Sequence, residues 1–291
     1  MEKKDYVIQE LPDNVYAVDE YSMDYMYIVV GSQRCLVIDT GTGTGDYKSV
    51  VERITQGKPY DVVCTHCHVD HCGGIGQFSK IYIHPADIAP LTVDGGHGGT
   101  ISVANRRRYS ARGFAVNPEG GLPFTLDSFQ EIDTDPIAFV GVTEGGTFDL
   151  GDRVLSVHEM PGHSMGSICL LDSKHGMLFA GDNVSKVLIL PLEMSHKDRV
   201  RMWLDGAEKL WALREQYQVI YAGHLCPAPM ELFSDQITLA RKVLSGEIQQ
   251  EFMQVDEFKG LLYHYDRAYF TLEEENLKTR DYRRLLHPDL Y

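Results

Sequence analysis

The sequence predicts an α+β fold for a single domain of residues 1–291, and three observations carry that expectation. Short runs rich in Val, Ile, Leu and Tyr, bounded by turn residues, recur in both halves of the chain and read as strands. Longer stretches with apolar residues at helical spacing stand between some of them. Histidines and aspartates fall where strands end, several directly behind a glycine.

In chain order, strands are expected at 15–18, 26–30 and 35–38, the third running into Asp39-Thr40-Gly41-Thr42-Gly43. A helix follows over 47–55. The next strand, 61–65, delivers the chain directly into His66, and 80–84 repeats the pattern before Pro85-Ala86-Asp87 opens a helix. Regular alternation returns at Thr147, with strands at 154–159, 167–171 and 177–180. The stretch 199–216 has Val200, Trp203, Leu204, Ala207, Leu210, Trp211 and Leu213 on one helical face. A strand over 219–222 ends at Gly223-His224, and 230–245 reads as a helix.

Two stretches break this rhythm. Between about 90 and 146 the chain holds GGHGG, RRR and NPEGG without sustained periodicity, as expected of an inserted cap. The last stretch, about 247–291, is charged and aromatic-rich and reads as a C-terminal tail or subdomain.

Composition narrows the function classes. With 43% hydrophobic and 24% charged residues the chain can bury an ordinary core. No run approaches the roughly 18 apolar residues that a membrane span needs. No apolar segment follows the N-terminal lysines, so no secretory signal is expected and the cytoplasm is the expected compartment. The six cysteines lack the spacing of a disulfide scaffold and are expected as thiols. A formal net charge of −15, from 27 basic and 42 acidic residues, repels nucleic-acid phosphate. The basic cluster Arg106, Arg107, Arg108 and Arg112, with Tyr109 among them, is large enough for one small anion. The expected partner is therefore a small molecule, with no nucleic acid and no membrane. Nothing in the sequence bears on oligomeric state.

The informative stretch is Thr65-His66-Cys67-His68-Val69-Asp70-His71-Cys72-Gly73-Gly74. Three histidines and an aspartate within six residues offer neutral imidazole and carboxylate, the donors zinc favours. His66 and His68, two apart beyond a strand, can grip one ion, and Asp70 and His71 in the following turn can face another. Three further donors stand at expected strand ends: His163 in Pro161-Gly162-His163-Ser164, Asp182 behind Gly181, and His224 behind Gly223. Seven ligands suit two metals that share a carboxylate.

T-H-x-H-x-D-H, then P-G-H-S, G-D and G-H, resembles the ordered signature of the metallo-β-lactamase-fold hydrolases, over residues 14–227 without the inserted stretch. The resemblance implies a four-layer αββα sandwich with the metals at one edge of its two sheets. It implies that His66, His68 and His163 hold one ion, that Asp70, His71 and His224 hold the second, and that Asp182 bridges. It also matches Asp39 to an aspartate that supports the ligands from behind. Zinc is the expected metal, with iron and manganese compatible with the same donors.

Such a set implies a binuclear hydrolase in which a hydroxide shared by the metals attacks a carbonyl, Asp70 orienting it or moving its proton. The expected substrate is a small ester, thioester or lactone, with Arg106, Arg107, Arg108, Tyr109 and Arg112 available for an anionic group. The bridging Asp182 favours the glyoxalase II-like and lactonase-like branch over true β-lactamases. A di-iron oxygen or NO reductase acting with a separate flavoprotein is the alternative, disfavoured because such relatives usually carry glutamate where this chain has His68. β-Lactamase and phosphodiesterase activities are further alternatives.

Overall fold

A computed structural model describes residues 6–116, 122, 124–191, 194–255 and 258–272. These divide into two compact units, one made of 6–142 with 147–154 and the other of 143–146 with 155–272. Each has its own apolar core, one running from Tyr6 to Ile137 and the other from Met160 to Leu272.

In the first unit β1 (Val7–Leu11), β2 (Val15–Asp19), β3 (Tyr25–Val30) and β4 (Cys35–Ile38) pair as an antiparallel meander. Beyond β4 the direction changes: β5 (Tyr60–Val63), β6 (Lys80–Ile83) and β7 (Ala138–Gly141) add in parallel. The order β1-β2-β3-β4-β5-β6-β7 is thus a mixed sheet. Every residue of β4 is buried, as a strand covered on both faces requires.

Four helices accompany the sheet: α1 (Tyr47–Thr55), α2 (Val69–Cys72), α3 (Ile88–Thr92) and α4 (Val103–Val116). The Asp46 carboxylate caps α1, accepting from the Ser49 amide at 3.0 Å and the Ser49 hydroxyl at 2.6 Å. These hydrogen bonds hold its carboxyl below the usual carboxylate range. Asp46→Ala should cost about 1 kcal/mol, read as a lower urea midpoint. Because the folded pKa is depressed, this stabilisation is complete above about pH 4 and fades as pH falls through the folded value. The difference between wild type and variant should therefore narrow in acid.

The interval expected as an irregular cap contains a regular helix, α4, and ends in β7, which pairs with β6 inside the sheet. Four residues, Ala-Phe-Val-Gly, are too few to show a period, so the strand is hidden in the sequence. The NPEGG run at 117–121 lies outside the described residues.

After β8 (Thr147–Asp149) come β9 (Val154–Glu159), β10 (Ile168–Asp172), β11 (Met177–Gly181) and, later, β13 (Val219–Ala222). In the second unit the last four lie in the order β13-β11-β10-β9, with β11 and β13 parallel and the other pairs antiparallel. Between β11 and β13 stand β12 (Val187–Ile189) and α5 (His196–Ala212). The expected helix over 199–216 therefore starts three residues earlier, where Ser195 caps it through the Asp198 amide, and its end tightens into a 3₁₀ turn.

Helix α6 (Met230–Ser245) packs beside α5. Much of the expected tail is sheet: β14 (Glu251–Val255), β15 (Phe258–Tyr265) and β16 (Ala268–Thr271) extend β12 in the order β12-β16-β15-β14. Residues 273–291 of that tail lie outside the described residues. Among the described residues no helix is long and apolar enough to cross a membrane.

Candidate metal centre

In the first unit the donors are built where two parallel strands end side by side. The Asp39 amide, just past β4, donates to the Val63 carbonyl at the end of β5. Asp39 is held at φ +63°, a left-handed conformation that Asp tolerates better than most residues. That twist turns its carboxylate toward β5, where it accepts from the Thr65 amide at 2.7 Å and the Thr65 hydroxyl at 2.9 Å. The oxygen that meets the Thr65 hydroxyl, Oδ2, also accepts from His71 Nδ1 at 2.8 Å. This bond orients the ring and leaves Nε2 as its lone-pair donor, 3.7 Å from the Asp70 carboxylate.

His66 lies against His68 and His71, with ring centroids 4.7 and 4.1 Å away. His68 is the N-cap of helix α2, which carries Asp70 and His71, both buried. The turn that follows touches the loop after β4, and a Cβ on Gly74 would stand 2.2 Å from the Thr40 carbonyl oxygen. No other residue fits there without moving the backbone.

In the second unit Asp182 and His224 follow neighbouring parallel strands, β11 and β13, and the Gly223 amide donates to the Gly181 carbonyl at 2.8 Å. His224 Nε2 and His163 Nε2 approach one oxygen, Asp182 Oδ2, at 3.2 and 3.4 Å. His163 Nδ1 donates to the Ile189 carbonyl at 2.7 Å, which again presents Nε2 to the cluster. Gly162, at φ +146°, lies so close to α5 that a Cβ would meet Trp203 Cβ at 2.6 Å.

The expected donors thus fall into two groups by unit, His66, His68, Asp70 and His71 in one and His163, Asp182 and His224 in the other. The donor chemistry fits divalent metal. Buried imidazoles present Nε2 toward buried carboxylates, and two of the rings are braced through Nδ1 by an oxygen acceptor. Such a set is consistent with a binuclear site.

The cysteines of the motif are not nucleophiles in waiting. Burial, helped by Asp87, pushes the Cys67 thiol up, and burial with Cys64 does the same to Cys72. Both stay protonated at neutral pH and lack the thiolate that attack requires.

The five residues expected to meet an anionic group share helix α4 but not one surface. Arg106 is buried, Arg108 is exposed, and Arg107, Tyr109 and Arg112 are intermediate. Arg112 stacks over the Tyr109 ring at 4.5 Å, whereas Arg106 lies over Phe129 at 4.9 Å.

The sequence also concealed a pair of carboxyls. Glu20, fully buried, accepts from the Thr42 amide at 2.6 Å and the Thr44 hydroxyl at 2.7 Å, pinning the loop that begins at Asp39. Burial, reinforced by Glu20 and Asp70, pushes the neighbouring Asp24 carboxyl well above the usual carboxylate range. Burial raises the Glu20 carboxyl as well. Neither residue lies in a motif, so only the fold reveals them.

Residues 23–224 match the Metallo-beta-lactamase superfamily. The acyl-coenzyme A thioesterase MBLAC2 of Gallus gallus is 34% identical over 174 residues, 55% of this chain and 57% of that protein. The atrochrysone carboxyl ACP thioesterase nsrC of Aspergillus novofumigatus is 28% identical over 162 residues, 54% of this chain and 37% of its own length. This chain thus spans little more than half of the first relative and a smaller part of the second. Among solved structures, the stereoselective inverting sec-alkylsulfatase Pisa1 from Pseudomonas sp. superposes with a TM-score of 0.59 at 16% identity. That superposition covers 82% of this chain and 42% of the sulfatase, and at such identity it speaks for the fold alone. With mixed sheets among its α+β elements, and a family match covering most of its length, the chain belongs to the metallo-β-lactamase superfamily of hydrolases.

Proposed function

We propose that the chain is a binuclear metal-dependent thioesterase. The observation that carries the reading is the convergence of His163 and His224 on one oxygen of Asp182. A carboxylate met by two imidazoles is the arrangement a bridging ligand needs, and it accompanies the glyoxalase II-like branch that the sequence favours. Within that branch the thioesterase relatives direct the choice toward acyl thioesters rather than lactones.

In this reading His66, His68 and His163 hold one ion, Asp70, His71 and His224 hold the other, and Asp182 serves both. Zinc is the proposed metal, since imidazole and carboxylate donors suit it. Two such ions supply Lewis acidity and a hydroxide nucleophile at neutral pH. The chain's own contribution is to fix the donors. Asp39 orients His71 and the Ile189 carbonyl orients His163, and Asp70 is assigned the role of orienting a nucleophile or taking its proton. Arg107, Arg108, Tyr109 and Arg112 are assigned to an anionic group of the substrate, and the interval 90–146 to shaping its access. Residence in the reducing cytoplasm completes the reading, supported by six cysteines that are all free thiols.

The test is metal content by mass spectrometry together with hydrolysis of a panel of acyl-CoA thioesters, a lactone and a cephalosporin. Two equivalents of zinc and turnover of the thioesters are expected. Lactone turnover with silent thioesters would overturn the substrate class, and one or no bound metal would overturn the binuclear assignment.

A further inference from the structure

Arg106 is the point of departure. Its side chain is only 4% exposed, yet among the described residues it forms no ion pair. One N–H donates to the Gln130 carbonyl at 3.1 Å, and the planar face lies on Phe129. The Nε hydrogen is buried and meets no acceptor. Glu131 and Glu20 favour its charge only from a distance, while burial disfavours it and lowers its pKa to about 10. A guanidinium taken out of water without a counter-charge is expensive, and a stable fold normally supplies the missing acceptor.

The protein supplies room for one. Arg106 lines a cavity of about 450 Å³ that lies wholly within the first unit. Phe129 and Ile132 give the cavity an apolar wall, and Gly73 and Gly74 line it from the turn after α2. Glu131 and Asp133 also line it, and both are exposed. We infer that this cavity is a binding site for a small carboxylate of single negative charge, held on Arg106 with its short alkyl part against Phe129 and Ile132. The planar fork of a guanidinium matches the two oxygens of a carboxylate. The apolar wall suits a short hydrocarbon. The acidic pair opposes a ligand with several negative charges, which selects a carboxylate over a polyphosphate. The site stands independently of the metal chemistry proposed above, since none of its lining residues is a donor of either cluster.

The test is isothermal titration of the purified, metal-loaded protein with sodium butyrate, with inorganic phosphate in a parallel arm. Saturable 1:1 binding of butyrate is expected, with phosphate binding at least tenfold weaker. Arg106→Gln should weaken butyrate binding at least tenfold. Because that substitution touches a buried position, Ser128→Phe provides a second reading. Ser128 is exposed and lines the cavity, so the larger ring obstructs it while leaving Arg106 in place. Ser128→Phe should also weaken butyrate binding at least tenfold with metal content unchanged. No saturable butyrate binding up to about 50 mM, well beyond the usual range of specific small-ligand sites, would overturn the proposal. So would phosphate binding more tightly than butyrate, or butyrate binding that both variants leave intact.

Discussion

Asp182→Ala should remove activity and a metal together. Asp182 Oδ2 is the atom that His163 and His224 share, so its loss leaves two imidazoles without the acceptor that defines their spacing. If Asp182 bridges two ions, the variant should retain about one equivalent, and its turnover of acyl thioesters should fall by about a thousandfold or more. That corresponds to roughly 4 kcal/mol of transition-state stabilisation, the scale of metal charge compensation. The fold should survive, because Asp182 follows β11 and contributes none of the strand's pairing. Circular dichroism should therefore match wild type while metal content and rate do not. A variant that keeps both ions and loses less than tenfold in rate would remove Asp182 from the bridging role.

Trp203→Ala should be the most destabilising single truncation in the second unit. Trp203 is fully buried on α5, edge-on to Phe270 at 5.4 Å and to Phe233 at 6.3 Å. Its backbone side is closed by Gly162, one residue before His163. Removing the indole opens a large cavity that rigid neighbours cannot fill, at a cost of about 3–5 kcal/mol. The wall behind His163 loosens as well, so metal affinity should weaken along with the urea midpoint. Trp203→Phe should restore most of both, since it returns an apolar ring to the same space. A loss below about 1 kcal/mol on truncation would show that this core can collapse around the gap.

Much of the candidate site was legible before any fold was known, because metal donors are chemically conspicuous and the strands leading to them are short and β-prone. His66 follows a short β-prone strand, and Asp182 and His224 follow glycines at strand ends, so periodicity and residue type pointed to the same places. What stayed hidden has physical causes. Glu20 and Asp24 owe their importance to burial against a distant loop, and burial of a charged residue has no local signature. The division of the α4 arginines depends on which face of the helix packs inward. Its apolar residues are too sparse to announce that. The stretch holding β14 to β16 read as a charged, aromatic-rich tail or subdomain because β14 and β16, of five and four residues, are too short to show a clear period.

The spacing of the two donor clusters has a consequence for handling the protein. One cluster is contained in residues 66–71, beside the thiols of Cys67 and Cys72, whereas the other is gathered from positions 163 to 224 only when β11 and β13 pair. An unfolded chain therefore already carries a local chelator, while the second set exists only in the native state. Metal that binds the unfolded chain stabilises the native state less than its native affinity alone implies. Excess zinc during refolding would hold the 66–72 segment in non-native ligation with its thiols, so recovery should be best when the chain is refolded under chelator and reconstituted with metal afterwards.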